Sequence, residues 1–151
     1  FPTGIMRGRF HPGDGQLYGC GMFAWAGSQR KAGGFYRIRK TEKPAHLPTK
    51  IEATKASITL TLSDSVDASS IKPESFRIKA WDLNRTRNYG SKHYNEREWE
   101  VTKSSHNGSK VTLTIPELKP TWGMSIEMNL TGRDGKKFNR IIHNSVFEIP
   151  E

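Results

Sequence analysis

Cysteine is nearly absent from this chain of 151 residues: Cys20 is the only one. An intrachain disulfide, a structural zinc site built on cysteines and an iron–sulfur cluster are thereby excluded. So is covalent haem, which needs a Cys-x-x-Cys-His run. No apolar run approaches the length of a membrane-spanning helix. No stretch holds a 3.6-residue period, and no repeat of solenoid length occurs. A signal peptide is missing, and the chain opens on Phe1, which reads as a piece cut from a longer protein. Acidic residues are few: 15 Asp and Glu face 24 Lys and Arg, for a net charge of +9. That balance suits an anionic partner or simply a basic surface, because the charges are scattered and not gathered in blocks.

What is present is β pattern and glycine. Nine of the 14 glycines fall within residues 1–34, and residues 1–46 carry +6 of the net charge. Three short strands are expected there, over 4–10, 16–21 and 34–40. The turn His11-Pro12-Gly13-Asp14-Gly15 joins the first two, since proline fixes φ and glycine tolerates positive φ. A glycine-rich loop precedes the third. Two prolines in 41–48 mark a linker or a strand-to-strand crossover, the linker being placed at residues 44–49.

Beyond the linker, alternation is regular. Ile58, Leu60 and Leu62 share one face of a strand, as do Phe76, Ile78 and Ala80 of another. The apolar phase then slips to Trp81 and Leu83, which predicts a bulge or bend. Runs over 111–115 and 124–130 alternate as well, and 50–54, 98–102 and 145–149 are weaker candidates. Asp67 is expected to cap a short helical turn to Ile71. Asn107-Gly108 predicts a tight hairpin. About seven short strands in a hundred residues is the signature of a sandwich. The expected core is Ile58, Leu60, Leu62, Phe76, Ile78, Val111, Leu113, Ile115, Ile126 and Met128.

Two stretches carry a resemblance. Residues 8–18, Gly-Arg-Phe-His-Pro-Gly-Asp-Gly-Gln-Leu-Tyr, with Gly33-Gly34-Phe35-Tyr36-Arg37-Ile38-Arg39, resemble the last blade of a six-bladed β-propeller. The propellers are those of the soluble quinoprotein glucose and sorbosone dehydrogenase family. Residues 58–78, with Asp67-Ala68-Ser69-Ser70 and Pro73-Glu74-Ser75-Phe76, are similar to bacterial Ig-like domains. The order blade, linker, Ig-like domain resembles the C-terminal part of large exported proteins of planctomycete-type bacteria. Trp81 and the following Tyr89-Gly90-Ser91 fit that arrangement. The resemblance implies an all-β chain: an incomplete blade over 1–43 and an Ig-like β-sandwich over 50–150. It implies a periplasmic or extracellular location, with neighbouring propeller and cytochrome-type domains as partners. It places PQQ and calcium in the parent chain. The residues that would hold them lie on blades this chain does not contain, so no catalytic residue, metal ligand or cofactor is carried over.

Sites of reaction find little support. His11, His46, His93, His106 and His143 show no metal-ligand spacing, and no G-x-S-x-G elbow exists. Cys20 lies between two glycines with no base indicated beside it. Asp64 and Asp67 follow a strand but lack the glycine and third acid of a calcium loop. Glu98 and Glu100 alternate and face water. The glycines of the first segment form no phosphate loop.

The stretch from Trp81 to Trp99 is richest in binding chemistry. It combines four aromatics with Arg85, Arg87, Arg97, Lys92 and His93. Aromatic faces stack on sugar rings or bases, while arginine and asparagine supply hydrogen bonds. The candidate ligand-binding residues are Trp81, Arg85, Arg87, Tyr89, His93, Tyr94 and Trp99. The competing structural reading makes Trp81 and Trp99 core residues, with Tyr89 and Tyr94 pinning the loop. Arg7, Arg9, Arg37, Arg39 and Lys40 alternate along strands and offer a basic face, but no nucleic-acid-binding motif accompanies them, so nucleic acid is disfavoured. The expected function is that of a non-catalytic accessory module of an exported sugar-dehydrogenase-like protein, one that spaces or docks domains or contacts polysaccharide. A fragment completing a sugar-oxidising propeller and a polyanion-binding domain are the alternatives.

Overall fold

The computed structural model describes residues 1–23, 31–39 and 41–150. Part of the glycine-rich loop, and Lys40 of the basic face, lie outside the described residues. The chain is all-β and divides into two compact units, Phe1–Lys43 and Pro44–Glu151.

The first unit is a three-stranded antiparallel meander of β1 (Arg7–Phe10), β2 (Leu17–Met22) and β3 (Gly33–Ile38), in that order. The turn between β1 and β2 is held by Asp14, whose carboxylate accepts from the Gln16 N–H and the Tyr18 hydroxyl. Cross-strand partners share a face, so Arg7, Cys20 and Phe35 form one row and Arg9, Tyr18 and Arg37 the next. Phe10, Leu17 and Ile38 belong to the opposite face. Phe10 and Phe35 are 73% and 72% exposed, so apolar rings are open on both faces of this sheet.

The second unit is a sandwich of eight strands. These are β4 (Pro48–Thr54), β5 (Ser57–Leu62), β6 (Phe76–Asp82), β7 (Tyr94–Trp99), β8 (Lys103–Asn107), β9 (Lys110–Thr114), β10 (Thr121–Thr131) and β11 (Lys137–Val146). One sheet has the order β4-β5-β9-β8 and the other β11-β10-β6-β7, all antiparallel. With β4 as strand A, these orders read ABED and GFC plus one further strand, the immunoglobulin arrangement. Every residue expected in the core is buried, and all belong to one cluster fed by both sheets. Trp99, Val101, Met124 and Leu130 join them.

Local chemistry explains the connections. Asp67 accepts from the Ser69 N–H and caps the 3-10 turn Ala68–Ser70. Gly108 turns the β8–β9 hairpin at φ +61°. The register between β6 and β7 shifts between Ala80 and Asp82, with the extra residue on β7, while β6 itself pairs with β10 without a break through Trp81. Ala80 faces the core, and Trp81, on the opposite face, is buried over Gly123 and under the His93 ring, while Leu83 is exposed.

Some expectations need correction. Residues 44–47, expected as linker, belong to the second unit and are bound to the sandwich. The N–H groups of Ala45 and His46 donate to the Asp64 carboxylate, and the buried His46 ring stacks on Phe138 at 4.6 Å. Pro48 already begins β4. The strand expected over 145–149 is Lys137–Val146, and that over 98–102 is divided between the end of β7 and the approach to β8.

Candidate functional site

Trp81, near the end of β6, anchors the start of the following loop. Trp81 is 7% exposed and Trp99 3%; Trp99 belongs to the core, whereas Trp81 is buried outside it, on the other face of its sheet. Trp81 lies opposite Gly123 of β10, and its ring occupies the space a Cβ would take there. The His93 ring stacks on the Trp81 indole at 4.0 Å with 12° between planes. The Thr121 hydroxyl lies 3.2 Å from the carbonyl of Trp81 and the same from that of Gly123. A glycine and a threonine of β10 therefore seat the tryptophan from which the loop departs.

Below the loop, charges are paired. The Asp82 carboxylate accepts from Asn95 Nδ2 at 3.0 Å and from Arg97 Nη1 at 3.3 Å. The Asn95 bond, then Arg97 and the charge of Lys119, hold this carboxyl below the usual range. Arg97 also lies over the Trp99 ring, 5.6 Å from its centroid. Glu96 accepts from Lys79 at 2.7 Å and faces His93 Nδ1 at 3.3 Å; Lys79 is the main cause of its lowered pKa, with His93 second. These carboxylates have strong partners and separate environments, not the close pair that acid–base catalysis requires.

The loop from Leu83 to His93 closes on itself. Ser91 Oγ accepts from the Asn84 N–H at 3.0 Å and donates to the Lys92 carbonyl at 2.8 Å. The Asn88 N–H donates to Thr86 Oγ1 at 3.2 Å. Gly90, at φ +81°, supplies the reversal beside Tyr89. Between this loop and Trp122 at the start of β10 runs a groove of about 670 Å³. Leu83, Asn84, Arg85, Asn88, Tyr89 and Trp122 are among its walls. Tyr89 is fully exposed and Trp122 59% exposed, with Phe147 meeting the indole edge to face at 5.5 Å. A second cleft of about 460 Å³ on the same loop includes Tyr89, Lys92 and Tyr94.

The candidate residues therefore separate. Arg85 and Tyr89 line the groove, Tyr94 the neighbouring cleft. Arg87 is exposed between two lining residues, Thr86 and Asn88. His93 packs on Trp81, and Trp81 and Trp99 are buried beneath. Trp122 was missing from the sequence reading. Alternation would bury it with Met124, Ile126 and Met128, whose phase it shares; the register shift between Thr121 and Met124 turns it outward.

The other polar groups have structural partners. The Asp64 carboxylate takes the Ser63 hydroxyl and two backbone N–H groups, and Asp67 takes the Ser69 N–H and hydroxyl. Asp14 faces His11 at 3.2 Å. His106 and His143 are exposed. Among the described residues no three His, Cys, Asp or Glu side chains gather as a metal would need, and no helix is long and apolar enough to cross a membrane. In the first unit a cleft of about 750 Å³ includes Arg7, Arg9, His11, Tyr18 and Phe35, with Tyr18 stacked on Phe35 at 5.7 Å. That face offers donors and apolar rings, while its acid, Asp14, is engaged in the turn. Apolar rings open on both sides of one sheet are the character of a packing layer.

The sequence matches no known family model, and no curated protein matches it.

Proposed function

We propose that the sandwich unit is a non-catalytic binding module that holds carbohydrate in the groove between the Leu83–His93 loop and Trp122. One observation carries this reading: two exposed aromatics, Tyr89 and Trp122, border a groove that also contains Asn84, Arg85 and Asn88. Sugar rings present C–H faces that rest on aromatic rings, and hydroxyls that need donors and acceptors at once. Asparagine amides supply both, and arginine adds donors in a fixed fork. The buried Trp81 and Trp99 keep the loop's two ends in place, so little ordering remains to be done on binding.

The first unit fits a different role within the same module. Its three-stranded meander, with exposed Phe10 and Phe35 on opposite faces, supports the reading of a blade end that docks on further sheets of an exported dehydrogenase-like protein. Quinone chemistry is not assigned to either unit.

The test is binding of the whole chain to a panel of polysaccharides. Trp122→Ala and Tyr89→Ala are each expected to weaken binding about tenfold or more, as loss of one stacking platform does. Full affinity in both variants would place the ligand elsewhere.

A further inference from the structure

The one charged residue in the groove's walls, Arg85, has no acidic partner among the described residues, and neither have the other bases of its loop. From Leu83 to His93 the loop contains Arg85, Arg87 and Lys92 and no acidic residue. The carboxylates at its two ends are already committed, Asp82 to Asn95 and Arg97, and Glu96 to Lys79 and His93. Among the described residues no carboxylate lies within ion-pair distance of Arg85, Arg87 or Lys92. Elsewhere on the sandwich some exposed bases find acids, Lys50 with Glu52, Arg77 with Glu98 and Lys136 with Asp134, while others such as Lys55, Lys103 and Lys110 do not among the described residues. What sets the loop apart is that one of its unpaired bases, Arg85, lines a groove bordered by two exposed aromatics. Arg85 stands in the groove with Tyr89 and Trp122, and Lys92 in the neighbouring cleft with Tyr89 and Tyr94.

Resting on the reading of this groove as a carbohydrate site, we propose that its ligand is a polyuronate, a polysaccharide carrying a carboxylate on each ring. Sugar rings lie on Trp122 and Tyr89, and carboxylates pair with Arg85 and Arg87. A guanidinium binds a carboxylate through two parallel N–H bonds, so these arginines read the charge and its orientation together. The amides of Asn84 and Asn88 provide acceptors for ring hydroxyls, which a surface of cations alone cannot. That separates this groove from a general polyanion surface, where a basic track along the ligand backbone is sufficient.

The experiment titrates the full chain with three probes at low salt. One is polygalacturonate, the second its fully methyl-esterified form, and the third a single-stranded oligonucleotide. The ester keeps the rings and removes the charge. The oligonucleotide keeps negative charge and replaces the sugar carboxylates with phosphates. Polygalacturonate is expected to bind about tenfold tighter than its ester, the effect of two exposed charge pairs, and to lose that advantage as salt rises. Arg85→Gln with Arg87→Gln brings the acid form to the level of the ester, whereas Trp122→Ala weakens both. Both arginines are exposed, so an unchanged urea midpoint confirms that the fold is intact. Equal binding of acid and ester overturns the charge assignment and leaves the carbohydrate groove standing. An oligonucleotide that binds as tightly as polygalacturonate overturns the choice of ligand in favour of a nucleic-acid site. No binding of either polysaccharide overturns the carbohydrate reading and this inference with it.

Discussion

Gly123 decides where Trp81 lies, and through it where the binding loop begins. A methyl group at this position meets the indole itself, so the ring must move or the strand must shift. Gly123→Ala is expected to lower stability by about 2 kcal/mol, the usual cost of overpacking, read as a fall in the urea midpoint. The displaced indole also loses its seat beneath His93, so ligand affinity should fall in the same variant. A second residue-scale expectation concerns acid. The Asp64 carboxyl is held below its usual range by the Ser63 hydroxyl first, then by the His46 and Ala45 N–H groups. A carboxyl whose folded pKa is depressed stabilises the fold above its unfolded value of about 3.9, and that contribution is lost as pH falls through the folded value. Asp64→Asn should therefore be less stable than the parent at pH 7 and lose less on acidification to pH 3. Urea midpoints at both pH values check this; an equal acid loss in parent and variant would exonerate Asp64. Core residues were legible one by one, because burial alternates with the pleat. Trp122 was not, because it shares the phase of the buried Met124 and Ile126 and only the register shift beside it turns it to the surface.

Strands differ in how plainly they announce themselves. β5, β6, β9 and β10 bury one face and read directly from sequence. β8, Lys-Ser-Ser-His-Asn, has no apolar residue at all; it exists because it pairs with β9 at the edge of its sheet. β11 mixes Phe138 and Ile142 with Ile141 on the other face, so its period was masked, and it too is an edge. Edge strands need ladder hydrogen bonds more than burial, and sequence records burial better than pairing. β10, by contrast, is bonded on both sides, to β6 and β11, and buries Ile126 completely. Ile126→Ala should cost about 3 kcal/mol, measured as a loss in denaturant stability. The turn joining β4 to β5 offers the opposite outcome. Ala56 adopts φ +57°, a conformation that disfavours a side chain. Ala56→Gly should raise stability by about 0.5 kcal/mol, the relief of strain less glycine's extra entropy in the unfolded chain. A lower midpoint in this variant would show that the Ala56 methyl group contributes more than its backbone strain costs.

On the scale of the whole molecule, the two units differ in how much they keep from water. The sandwich gathers its buried residues into one cluster, while the three-stranded sheet leaves large apolar side chains open on both faces. Amide hydrogen exchange should register the contrast: protons of β5 and β10 exchanging only with global unfolding, those of β1 to β3 exchanging far sooner. Equal protection in both would mean that the small sheet shares the stability of the sandwich. Glycine and proline made this division legible near residue 44, but not that residues 44–47 are clasped by Asp64. That contact joins positions far apart in sequence, and no local pattern encodes it. Cys20 follows from the same contrast. It is the chain's one thiol, and it is exposed on the middle strand of the small sheet, in the row with Arg7 and Phe35. The protein thus carries its own chemical gauge. A maleimide should label Cys20 readily in this chain, and in a longer one the labelling rate would report, without any engineered probe, whether another layer has settled over that face.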